Sequence, residues 1–196
     1  MTGRKGIANK LEQIKQYQFL FEELVKRDFT KRYKRTILGM LWSVLGPMMT
    51  LGVMALIFTQ FFGRNINHYV IYLFCGNLIY GYFKESTNTG MTALYYNASI
   101  FSKVRIPKYL FLLSRNVASL INFGINLLVL FGFCLLDGIS FSWKFLFLLY
   151  PILCLLLFNV GMGLILSALF IMFRDMKYLY DIFTLLVMYV SAIFYS

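Results

Sequence analysis

A chain of 196 residues that is 60% hydrophobic, 14% charged and +0.70 in mean hydropathy is not an ordinary soluble domain, in which about a quarter of residues are charged. The net charge of +11 suggests nucleic acid at first. Ten of the nineteen Lys and Arg, however, lie within Met1–Arg35, and the others gather mostly at the ends of apolar stretches, where bases orient membrane proteins, so no nucleic-acid partner is expected. Cys75, Cys134 and Cys154 fall in or beside apolar stretches, match no metal spacing, and read as small packing residues.

From Ile7 to Val25, the residues Ile7, Leu11, Ile14, Tyr17, Phe21 and Leu24 recur every three or four positions, so they share one helix face. Such a helix lies in the headgroup boundary with its charged side wet. A helix packed on a protein partner would show the same pattern. The basic run Lys31, Arg32, Lys34 and Arg35 follows, suited to an anionic membrane surface. No short apolar segment follows the first bases, so no cleavable signal peptide is expected.

A span needs about 20 apolar residues. The first is expected over Thr36–Phe62, with a kink at Pro47 and close packing allowed by Gly39 and Ser43. The second starts near Tyr69, is apolar through Phe83, and turns semi-polar through about Met91, interrupted by Lys84 and Glu85. Charges inside a span are costly and face protein or water. Glu85 is therefore a candidate for function, with an interfacial or packing role as the alternative. Asn97–Pro107 reads as a basic loop. The third span covers Tyr109–Leu136, with Pro107 suited to its first turn and Asp137-Gly138 as a tight turn after it. The fourth covers Trp143–Phe173, kinked near Pro151. After Arg174, Asp175 and Lys177, a fifth starts near Tyr178 and is still apolar at Ser196.

With the N-terminus in the cytoplasm, inside segments hold fifteen bases and outside loops two, Arg64 and Lys144. This is a strong positive-inside bias. The expectation is an all-α, multi-pass protein of the cytoplasmic membrane, with an N-terminal interface helix and five transmembrane helices. It forms a single domain over 1–196, with 1–35 as interface segment and 36–196 as spans.

Little points to catalysis. No phosphate-cradling Gly-x-x-x-x-Gly-Lys-Ser/Thr occurs, so any ATP hydrolysis belongs to another chain. His68 is the lone histidine. Glu85, Asp137, Asp175 and Asp181 are far apart in sequence. Aromatic residues make up 19% of the chain. They serve as membrane belts, or as rings on which sugar C–H faces lie; Tyr180, Phe183 and Tyr189 are the candidates for such a path.

Four stretches resemble the ABC-2 permeases that export O-antigen, capsule and teichoic-acid polymers. Arg27-Asp28-Phe29-Thr30-Lys31-Arg32-Tyr33-Lys34-Arg35-Thr36-Ile37-Leu38-Gly39-Met40-Leu41-Trp42, followed by Pro47, is similar to the approach to their first span. Phe83-Lys84-Glu85-Ser86, then Asn97-Ala98-Ser99-Ile100-Phe101-Ser102-Lys103-Val104-Arg105-Ile106-Pro107, resembles the end of their second span and the coupling segment after it. Phe173-Arg174-Asp175 is similar to the loop before span five. The closing Ala192-Ile193-Phe194-Tyr195-Ser196 resembles their Ser-Pro-Ile-Phe-Tyr-Pro, with Ala192 and Ser196 where prolines are common. The resemblance implies a homodimer, two separate ATPase subunits that bind ATP and Mg, and a channel for lipid-linked polysaccharide or polyol-phosphate polymer. It makes Asn97, Ser99, Ile100, Lys103, Arg105 and Pro107 the candidate ATPase-coupling residues. It also implies six spans, so a C-terminally truncated chain is expected. A permease for a drug, lipid or other small cargo is the competing reading, followed by a membrane-embedded lipid-processing enzyme.

Overall fold

The computed structural model describes residues 17–31, 39–62, 68–103, 106–139 and 142–191, which are helical and contain no strand. Helix α1 covers 17–31. It is followed by α2 (Trp42–Phe62), α3 (Tyr69–Tyr96), the single turn α4 (Ala98–Phe101), α5 (Tyr109–Leu136), α6 (Leu149–Met172) and α7 (Met176–Val190). Short 3-10 turns, Gly39–Leu41 and Trp143–Leu148, lead into α2 and α6. Ile7, Leu11, Ile14, Arg32, Lys34, Arg35, Thr36, Arg105 and 192–196 lie outside the described residues.

Two helical stretches, Tyr109–Leu136 and Phe145–Met172, are long and apolar enough to cross a membrane, and Trp42–Ile57 is a shorter apolar run. Helix α7 has 15 residues, about 22 Å at 1.5 Å per residue, against the roughly 30 Å of a bilayer core. Among the described residues, large apolar side chains are exposed along α2, α6 and α7, a surface chemistry that suits a membrane.

Helix α3 is the centre. It packs along α5 and α6 and also touches α2 and α7. Leu73, Phe74, Leu78 and Tyr82 of α3 join Leu51, Phe123, Leu130 and Cys134 in one core, with the Phe123 ring 4.9 Å from that of Tyr82. A second core holds Met91, Leu166, Phe170 and Tyr180. Between them α3 meets α6 backbone to backbone. A Cβ added at Gly90 would come within 3.3 Å of the Gly163 Cα.

The structure redraws several boundaries. Lys84 and Glu85 do not interrupt α3, which runs 28 residues without a break. Its polar half stays helical because its hydroxyls bond back to its own carbonyls. Thr87 Oγ1 donates to Phe83 O at 2.7 Å, Thr89 Oγ1 to Glu85 O at 2.8 Å and Thr92 Oγ1 to Asn88 O at 3.2 Å. Gly39 lies outside α2, in a turn with φ +50, so its use is a left-handed backbone rather than a packing face with Ser43. Helix α2 continues through Pro47. Pro151 is the third residue of α6, where a missing N–H costs little, and a 3-10 turn, Trp143–Leu148, leads into the helix before it. Pro107 precedes α5 by two positions, and its carbonyl accepts from the Leu110 N–H at 3.2 Å.

Gly90→Val is expected to force α3 and α6 apart and to destabilise the chain by about 1–3 kcal/mol, the usual cost of overpacking. Gly124→Ala, where an added Cβ meets nothing within 4 Å, serves as the control. A thermal melt in detergent checks this: a melting temperature for Gly90→Val equal to that of the control would show that the crossing tolerates bulk.

Candidate functional site

The site begins with α1. Tyr17 and Phe21 are half-buried and Leu24 is buried, so the apolar stripe read from the sequence faces inward over this part. The next position on that stripe is Asp28, whose side chain is 2% exposed. A carboxylate at that depth needs partners, since burying it alone is far more costly than burying a neutral group. It has three. Arg27 donates to Oδ1 from Nη2 at 2.9 Å and from Nε at 3.1 Å. On the other oxygen, the Ser114 hydroxyl donates at 3.2 Å and Arg115 Nε pairs at 3.3 Å. Arg27 Nη2 also donates to Asn97 Oδ1 at 3.0 Å.

This cluster ties three parts of the chain together: α1, the junction of α3 with α4, and the second turn of α5. Asn97 holds the junction. Its Nδ2 donates to Ala93 O at 2.7 Å, and its carbonyl accepts the Ile100 N–H of α4 at 2.9 Å. Of the candidate coupling residues, Asn97 is therefore buried and internal. Ser99 and Lys103 are exposed, and Ile100 and Pro107 are half-buried. The turn before α7 lies at the same end of the bundle: the Arg174 guanidinium sits 5.2 Å from the Tyr95 ring, on the last turn of α3. At the opposite end, the His68 ring pairs with the Asp137 carboxylate.

Glu85 faces the bundle. Asn122 Nδ2 donates to its Oε2 at 3.3 Å. It stands between two adjoining chambers. An outer chamber of about 360 Å³ is lined by Asp28, Lys31, Thr89 and Arg115 among others. An inner chamber of about 220 Å³ is lined by Thr50, Asn77, Tyr82, Asn122, Phe123 and Asn126 among others. Glu85 and Ser119 belong to both walls. Deeper in the bundle, Ser86 and Asn116 share a hydrogen bond.

The three aromatic candidates on α7 divide. Tyr180 is buried against α3 and α6, and its ring stacks on Phe183 with centroids 5.8 Å apart. Phe183 lines an apolar groove of about 480 Å³ with Tyr80, Phe83, Phe158 and Met162. Tyr189 is exposed at the far end of the helix. The docking of α7 rests on Tyr80, whose hydroxyl donates to Thr184 O at 2.8 Å. Among the described residues, no three His, Cys, Asp or Glu side chains gather to hold a metal.

The sequence shows Arg27-Asp28 within a motif but assigns it no role, and nothing in it singles out Arg115. A buried acid on an apolar stripe, with bases to either side and a span arginine elsewhere, was the available signal. Asp28→Ala removes the common partner of Arg27, Ser114 and Arg115. Arg27 is 39% exposed, so water screens its share. The expected loss lies at the low end of the roughly 3–5 kcal/mol for breaking a buried pair. Trypsin cleavage after Lys26 and Lys31 should accelerate in Asp28→Ala and not in Glu22→Ala, an exposed position on the same helix. Equal cleavage rates in both would mean that α1 is held by something other than this carboxylate.

No protein-family model matches the chain. Three curated proteins do. The chain is 29% identical over 171 residues to the O-antigen export system permease protein RfbA of Myxococcus xanthus, across 86% of this chain. It is 26% and 27% identical over 185 residues to two Klebsiella pneumoniae proteins of the same name, across 91% of this chain. It spans 65% of the length of the Myxococcus protein and 70% of the Klebsiella ones. The likeness seen in short motifs thus extends along most of the sequence, and the chain is similar to permease proteins of O-antigen export systems.

Proposed function

We propose that this chain is the permease subunit of an ABC exporter that moves a lipid-linked polysaccharide or polyol-phosphate polymer across the cytoplasmic membrane. In this reading residues 1–196 form one transmembrane domain with five spans, α1 and α4 face the cytoplasm, two copies pair, and two separate ATPase subunits bind ATP and Mg. The observation that carries the reading is the bracket at Asn97. The side chain of Asn97 holds α1, through Arg27, and bonds back to Ala93 O on the last turn of α3, while its backbone carbonyl accepts the Ile100 N–H and opens α4. A partner pressing on the exposed face of α4, at Ser99 and Lys103, therefore displaces α1 and α5 along with it. The partner supplies the force of nucleotide binding and hydrolysis, and this chain supplies the linkage.

Arg27, Asp28 and Arg115 hold the moving parts in register. Helices α2 and α7 then re-pack around a path, with Tyr180, Phe183 and Tyr189 as its candidate lining. Weak aromatic contacts suit a sliding polymer, because base–aromatic stacks in nucleic-acid grooves are worth about 1–3 kcal/mol and a tighter hold would stop movement. A permease for a small apolar cargo is the second reading. The groove beside Phe183 favours it, since its walls are almost entirely apolar.

The test uses the protein expressed together with an ATPase subunit of an ABC exporter from the same cells. A cysteine at Ser99 is expected to crosslink to that ATPase, and Asn97→Ala to uncouple ATP hydrolysis from export of surface polymer. Crosslinking only from the Arg174–Lys177 turn would move the coupling role there. Normal surface polymer in cells lacking the chain, with altered lipid or drug efflux, would select the second reading.

A further inference from the structure

We propose that the inner chamber between α2, α3 and α5 is a binding site for a single sugar or polyol unit. The inference deepens the polymer-export reading and rests on it for the identity of the cargo.

The chamber is polar where the chain is otherwise apolar. Thr50, Asn77, Ser119, Asn122, Asn126 and Glu85 converge there from three helices. On α5, Asn126 lies 17 residues from the first residue of the helix, about 25 Å along its axis. Polar side chains at that depth face water or a polar ligand. Asn126 Oδ1 is buried and has no hydrogen-bond partner among the described residues, and a buried acceptor left so is costly.

The chemistry of the walls selects the ligand. Glu85 is the single ionisable carboxylate of the inner chamber, and no base lines it, so an anion such as phosphate is repelled. A multivalent cation lacks the second carboxylate that it needs, because Asp28 of the outer chamber is engaged by Arg27 and Arg115. What remains is a neutral ligand rich in O–H groups. Hydroxyls donate to the Glu85 carboxylate and to Asn126 Oδ1, and the amide N–H groups of Asn77 and Asn126 donate to ligand oxygens. Phe74, Tyr82 and Phe123 add aromatic surface for the C–H face of a ring. A volume of about 220 Å³ gives room for a small ligand. None of Tyr180, Phe183 and Tyr189 lines this chamber, so it is separate from the candidate path on α7. The outer chamber shares the Glu85 and Ser119 wall with it and is lined by Asp28 and Lys31 of α1.

The experiment uses the full chain in lipid nanodiscs, with Cys75, Cys134 and Cys154 replaced by Ala and one cysteine placed at Ser119 or, in a second variant, at Thr50. A water-soluble thiosulfonate reports access. The probes are mannose, galactose, rhamnose, N-acetylglucosamine, ribitol and glycerol, each tested alone. Both cysteines are expected to react, and at least one probe is expected to slow the reaction at both. Glu85→Gln should raise the probe concentration needed roughly tenfold, equivalent to about 1.4 kcal/mol. Glu85→Asp, which keeps the carboxylate, should raise it less. Protection indifferent to Glu85→Gln would remove the carboxylate from the site. Labelling that no probe slows would leave a hydrated cleft only and overturn the proposal, as would two unreactive cysteines. A chain that protects as expected but binds no ATPase would defeat the export reading and leave this site standing.

Discussion

The Asp28 carboxylate is the point at which the membrane bundle and its surface helix become one object. A buried acid tolerates no casual arrangement: its charge must be matched and its oxygens filled. Here the matching groups come from its own neighbour Arg27 and from Ser114 and Arg115 on α5. Arg27 then has a donor left for Asn97. Removing the acid would leave two guanidinium groups facing one another with no anion between them. The position of α1, the start of α4 and the second turn of α5 are all consequences of one residue's electrostatic requirement.

The same constraint governs the interior. The bundle is held by apolar packing around α3, yet α3, α5 and α6 carry buried Ser, Thr and Asn side chains. Two solutions coexist. Most hydroxyls are satisfied by carbonyls one turn back, while those of Ser86 and Ser114 reach Asn116 and Asp28 on other helices. Amides do both: Asn116 bonds back to Leu112 O, and Asn122 reaches across to Glu85. Local satisfaction makes a helix self-sufficient, while cross-helix bonds fix its neighbours, so the polar groups decide which helices are bound together and which slide.

The sequence made the apolar elements legible where punctuation is strong. The bounds of α5 follow from Pro107 on one side and Asp137-Gly138 on the other, and the structure has Tyr109–Leu136. The polar half of α3 was harder to read, because hydropathy registers Lys84 to Thr92 as a fading span and cannot see hydroxyls folding back on their own turns. The stripe on α1 was readable through Tyr17, Phe21 and Leu24, but its continuation into Asp28 was not. The partners of that residue lie 86 and 87 positions away, and no local pattern encodes a pairing at that separation. For the same reason the convergence of Asn77, Glu85 and Asn122 on one chamber belongs to tertiary structure alone.

The bare contact of Gly90 with Gly163 sets how closely α3 and α6 approach, and side chains lock the pair on both sides of it, Phe83 against Phe158 and Tyr95 against Phe170. Gly90 lies six residues from Tyr96 and 21 from Tyr69, so the crossing sits about 9 Å from one end of α3 and 32 Å from the other. A load on the α4 end therefore meets the glycine contact within two turns, and is shared with α6 before it reaches the rest of α3.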